Sequence, residues 1–78
     1  MNDLFSMYPN PAHDLVSIVL PNTNESTVSI INALGEVVLK EKVSTKNITL
    51  KIDNLTNGVY FIKLESERGS SALKLIKQ

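Results

Sequence analysis

The chain has 78 residues, no cysteine, one histidine, and eight basic residues balanced by eight acidic ones. That length makes one small domain that buries roughly 60–65% of its unfolded surface, and with no disulfide available it is held by close sheet packing or by a partner. Balanced charge with no basic stripe argues against a nucleic-acid partner, lone His13 cannot anchor a metal, and no apolar run approaches the ~18 residues of a membrane helix.

Absence of cysteine leaves the redox compartment open. Met1-Asn2-Asp3 opens with an acidic residue and no apolar h-region follows, so no signal peptide is read. The chain is therefore expected to be cytosolic or a segment taken from the end of a longer protein.

Residues 1–7 carry Leu4 and Phe5 but no periodic pattern, and read as a linker whose end docks on the domain. Tyr8-Pro9-Asn10-Pro11 follows. Each proline fixes its own φ, biases the residue before it toward extended geometry, and lacks an N–H, so the segment is expected to be a stiff edge or turn. Tyr8 is expected to pack its ring and keep its hydroxyl in water.

Asp14 to Leu20 is the first clear strand, with Val16, Ile18 and Leu20 on one face. Pro21-Asn22-Thr23-Asn24 ends it. The second strand spans Thr27 to Asn32. Asn32-Ala33-Leu34-Gly35 then forms a tight hairpin, with Gly35 free to take the left-handed conformation. A third strand, Glu36 to Val43, turns charged at Lys40-Glu41-Lys42, which suits a sheet edge. Asn47 to Asp53 alternates with Ile48, Leu50 and Ile52 inward, the period of a half-buried strand.

The stretch Asn54 to Leu64 organises the rest. Asn57-Gly58 is a strong turn signal, and Leu55 is expected to plug an end of the fold. Val59-Tyr60-Phe61-Ile62 is all β-branched or aromatic, which predicts a central strand covered on both faces. Glu67-Arg68-Gly69 makes a further hairpin loop, and Ser70 to Lys77 alternates again, with Leu73 and Leu75 on one face. Six short strands with turns between them, and no 3.6-residue period, predict an all-β chain: an antiparallel β-sandwich, with a small barrel as the alternative.

Chemistry is thinly represented. His13 beside Asp14 is half of a catalytic pair at best, and neighbours on a strand point to opposite faces. The acidic residues are scattered, and Gly35, Gly58 and Gly69 lie in separate turns, so neither a calcium cluster nor a phosphate loop is formed. Sugar binding would need exposed aromatic platforms, and the chain has no Trp and only Tyr8 and Tyr60 as tyrosines. No cofactor and no catalytic residue are assigned.

The ordered set of motifs is more informative than any one of them. Tyr8-Pro9-Asn10-Pro11-Ala12 before a strand, the Asn32-x-x-Gly35 hairpin, Leu55-x-x-Gly58-x-Tyr60 and the final Lys74-Leu75-Ile76-Lys77-Gln78 together resemble the type A C-terminal sorting domain of the type IX (Por) secretion system of Bacteroidetes, over Tyr8 to Gln78. The resemblance implies an immunoglobulin-like sandwich of six to seven strands that is not itself an enzyme. It implies as partners a covalently fused N-terminal passenger, an outer-membrane translocon with its shuttle proteins, and a sortase-like cysteine peptidase that cuts upstream of the domain. Weak self-association is compatible with it. The passenger would cross the periplasm, then reach the outer membrane, the cell surface or the medium. The residues carried over as sorting signal or recognition elements are Tyr8, Pro9, Asn10, Pro11, Gly35, Gly58, Tyr60, Lys74, Leu75, Ile76, Lys77 and Gln78. The terminal strand, with Lys74 and Lys77, is expected to serve as a strand edge for a receptor, the alternative being that these lysines only solubilise an edge strand. A stand-alone adhesive or carbohydrate-binding sandwich is the competing reading.

Overall fold

Alternating apolar residues in short runs separated by Gly-, Asn- and Pro-containing turns give strands that bury one face each. The computed structural model of the protein describes residues 5–78. Within them are seven strands and no helix: β1 (Ser6–Tyr8), β2 (Leu15–Val19), β3 (Ser26–Asn32), β4 (Val37–Val43), β5 (Asn47–Lys51), β6 (Gly58–Ser66) and β7 (Gly69–Lys77). They form two open antiparallel sheets, ordered β1-β2-β5 and β4-β3-β6-β7. The result is a sandwich and not a closed barrel. It differs from the constant-type immunoglobulin arrangement in that the fourth strand pairs with the third, across on the other sheet.

The core lies between the sheets. Val16 and Ile18 of β2, with Leu20 after it, and Leu50 of β5, with Ile52 after it, face Val28 and Ile30 of β3, Tyr60, Ile62 and Leu64 of β6 and Leu75 of β7, all buried. Leu55 packs against this cluster from the loop before β6, as expected of an end plug. The charged β4 is an outer strand of its sheet, the position its Lys40-Glu41-Lys42 run suits. A register shift between Ile30 and Ile31 leaves Val38 as the extra residue of β4.

Two expectations change. Residues 1–4 of the segment read as a linker lie outside the described residues, but Ser6 and Met7 pair with Val19 and Ile18 as part of β1, and Phe5 is buried in the core. Three residues are too short to show a period, so this strand had no signature of its own. Secondly, β6 is covered on one face only. Tyr60 is buried, yet Phe61 is 41% exposed and Val59 37% exposed, because the sheet's outer face carries no second layer among the described residues.

Candidate functional site

The first and last motifs of the chain meet. Between Tyr8, which pairs with Ser17 in the first sheet, and Ala12, which bridges Lys77 in parallel, the chain crosses from one sheet to the edge of the other. The Tyr8-Pro9 and Asn10-Pro11 peptide bonds are both cis. Pro9 and Pro11 have no N–H to give to the edge of β7, so the pairing runs through Asn10, whose side-chain amide carries the same donor and acceptor as a peptide group. Asn10 Nδ2 donates to the Lys74 carbonyl at 3.0 Å, and the Ile76 N–H donates to Asn10 Oδ1 at 3.0 Å. Two residues on, at Ala12, ordinary backbone pairing takes over. The Ala12 N–H donates to the Ile76 carbonyl and the Gln78 N–H to the Ala12 carbonyl, both at 2.8 Å. His13 Nδ1 lies 3.1 Å from the Gln78 carbonyl oxygen.

These bonds occupy the outward backbone groups of β7 from Lys74 to Gln78. The expectation of a strand edge for a receptor there is therefore corrected: the chain's own N-terminal segment already fills it. The Lys74 to Gln78 side chains divide among three surroundings. Leu75 is in the core, Ile76 is half-buried on the outer face of the sheet, and Lys74 and Gln78 are exposed. Lys77 is 7% exposed, on the same inward face as Leu75, and its Nζ donates to the Gln78 carbonyl oxygen at 3.3 Å. Its aliphatic stem packs while the ammonium reaches a carbonyl, a common compromise for lysine. Tyr8 is 57% exposed, so its ring stands more in solvent than the sequence suggested.

The other motif residues sit in or beside turns. Gly35 closes the β3–β4 hairpin with φ +88, and its N–H donates to the Asn32 carbonyl. Asn32 Oδ1 accepts from the N–H groups of both Leu34 and Glu36, so the hairpin is built around this side chain. Gly58 opens β6 with φ +152, and a Cβ there would meet nothing within 4 Å. Its need for glycine is set by the backbone, not by crowding. Tyr60, two residues on, is buried and donates its hydroxyl to the Thr56 carbonyl at 2.7 Å. A tyrosine near the start of this strand, bonded back to the loop before it, is the tyrosine corner of immunoglobulin-type sandwiches. The Leu55-to-Tyr60 motif thus fixes the angle at which the chain enters β6.

Among the described residues no three His, Cys, Asp or Glu side chains are grouped to hold a metal ion. A concavity of about 490 Å³ opens between the β2–β3 loop and the β6–β7 hairpin, lined by Asn22, Glu25, Leu64 and Glu67 among others. It lies at the opposite end of β7 from the joined motifs.

Comparison with known proteins gives the family. Residues 6–78 match the family described as the secretion system C-terminal sorting domain. The chain is 34% identical over 73 residues to beta-agarase A of Zobellia galactanivorans, covering 92% of this chain and 13% of that protein. It is 36% identical over 59 residues to an ulvan lyase of Nonlabens ulvanivorans, covering 74% of this chain and 11% of the lyase. The chain therefore spans about an eighth of the first relative and a ninth of the second. Matched to that family over residues 6–78 and folded as a seven-stranded sandwich, the chain belongs to the type IX secretion-system C-terminal sorting domains, the signals that send proteins to the cell surface or beyond it.

Proposed function

We propose that the domain addresses a fused passenger to the outer-membrane translocon of the type IX system after passage through the periplasm, and that a sortase-like peptidase then cuts upstream of it. The passenger is displayed at the surface or released, and the domain is the peptidase's substrate. The small share of each relative that the chain matches supports this reading, since an address is carried by something longer.

The address is a folded one. The observation that carries this is Asn10, whose one amide group holds both Lys74 and Ile76. A receptor reading the terminal residues meets them with Asn10, Ala12 and His13 alongside, so the two distant motifs form one surface. In this reading Tyr8, Lys74 and Gln78 are the side chains available for contact. Leu75, Lys77, Tyr60, Gly35 and Gly58 hold the shape, and Pro9, Asn10, Pro11 and Ile76 dock the N-terminal segment on β7.

Removing Ile76 to Gln78 would take away four of the five bonds to that segment, all but the one to the Lys74 carbonyl, along with buried Lys77. Truncation therefore mixes loss of contact with loss of fold. The cleaner experiment fuses the domain to a secreted reporter in a bacterium with a type IX system and compares the intact domain with Lys74→Glu and with Asn10→Ala. Both variants are expected to lower surface delivery. Delivery of the reporter by the truncated domain at the intact level would remove the terminal residues from the address.

A further inference from the structure

Sheet register assembles a surface that the sequence scatters. On the outer face of the four-stranded sheet one rung reads Val37, Ile31, Phe61, Lys74 and the next Lys40, Ser29, Lys63, Ala72. A third reads Lys42, Thr27, Glu65, Ser70, and Val59 pairs with Ile76 beyond the first. The apolar side chains therefore gather at the end near the Asn32–Gly35 hairpin, whose tip residue Leu34 is exposed. A shallow depression of about 200 Å³ between Leu34 and Val59 extends this patch. Lys40, Lys63 and Lys74 lie beside it and Lys42 one rung further on, half of the chain's eight basic residues, against two carboxylates, Glu65 on that further rung and Glu36 in the hairpin, where it accepts from Asn32 Nδ2. Glu65 lies 3.5 Å from Lys63 in an exposed ion pair, an interaction worth little in water.

We infer that this face is a docking surface for a protein whose matching patch is apolar and rimmed with carboxylates. Monomers rarely leave contiguous apolar patches open, and such patches mark interaction sites. The cationic rim selects the partner's charge, since complementary potentials steer encounter and like charges are excluded. A second copy of the chain fits poorly, because a two-fold contact would bring the lysine set against itself. An anionic bilayer fits poorly as well. Val37, Ile31, Phe61, Val59 and Ile76 lie in rows on a flat sheet face, whereas bilayer binding rests on an amphipathic helix or a lipid anchor sunk below the headgroups. The partner meant is a component of the export route, so the inference rests on the function proposed above.

The test uses the reporter fused to the whole domain. Lys40→Glu with Lys63→Glu is expected to cut delivery about tenfold or more, as opposed charges across the contact become alike. Lys40→Arg with Lys63→Arg is expected to preserve it, and thermal melts show whether both pairs fold. A photo-crosslinking residue at Phe61 is expected to give a protein adduct that the double Glu variant abolishes. The same residue at Thr49, on the outer face of the other sheet, is expected to give none. Normal delivery by the folded double Glu variant would overturn the docking surface. So would an adduct at Phe61 consisting of a second copy of the domain, or binding only to vesicles of phosphatidylcholine and phosphatidylglycerol. If the unaltered domain fails to deliver the reporter, the export reading itself falls, and the docking surface with it.

Discussion

Asn10 and Ile76 lie 66 positions apart in the chain, yet the Ile76 N–H donates to Asn10 Oδ1 at 3.0 Å. With the second bond to the Lys74 carbonyl, a side chain replaces the backbone pairing that two flanking prolines forbid. The amide also shields the end of an outer strand, where unpaired groups would otherwise invite foreign strands.

Asn10→Ala removes both bonds at an exposed site, where water replaces part of what is lost. The expected cost is about 1–2 kcal/mol, at the usual net value per hydrogen bond. Asn10→Asp keeps the acceptor for Ile76 but turns a carboxylate toward the Lys74 carbonyl, and is expected to be no better than Ala. Denaturant midpoints of the three proteins measure this. Equal midpoints would show that the Ala12 backbone bonds hold the segment alone.

Tyr60→Phe tests the tyrosine corner. It leaves the ring in the core and removes only the hydroxyl that donates to the Thr56 carbonyl. The Thr56 carbonyl then loses its phenolic donor, and a loss of about 1 kcal/mol follows, with unfolding mainly accelerated if the corner forms late. Tyr60→Ala also empties the ring's place in the core and costs about 3–5 kcal/mol. Chevron plots of both variants separate the bond from the packing.

Strands with one covered face were legible because alternation maps onto the pleat: Ile48, Leu50 and Ile52 turn inward as their spacing predicts. Gly35 was legible because its turn needs a left-handed residue. Phe61 was not, since four consecutive apolar residues carry no period to say which face is open. Burial of Lys77 was signalled by its parity with Leu73 and Leu75, but residue type masked it. The meeting of Asn10 with β7, and of Lys40, Lys42, Lys63 and Lys74 on one face, comes from strand order and register. No local pattern encodes either.

Gly58 separates backbone strain from crowding. Its φ of +152 is one that side-chain-bearing residues rarely adopt, while the space around its missing Cβ is open. Gly58→Ala and Gly58→Val are therefore expected to cost nearly the same, roughly 1–3 kcal/mol each. Thermal melts compare them directly. A large excess cost for Val would mean the site is crowded, and unchanged melts for both would mean the turn does not need this conformation.

Lys77 distinguishes a lysine that is read from one that is packed. Its side chain is almost wholly covered, so a receptor has little of it to touch. Lys77→Met keeps a long unbranched chain in the same place and gives up the contact of Nζ with the Gln78 carbonyl oxygen. Burying an apolar group where a charge had been is often neutral or stabilising, so this variant is expected to melt at or slightly above the wild-type temperature. Lys77→Ala removes buried methylenes and is expected to lose roughly 1–2 kcal/mol. In the reporter fusion, Lys77→Met is expected to be delivered like the unaltered domain, while Lys74→Glu, three residues earlier on the same strand but exposed, is not. Loss of delivery by a fully folded Lys77→Met protein would show that the charge at this position is itself recognised, after the strand end has opened to expose it.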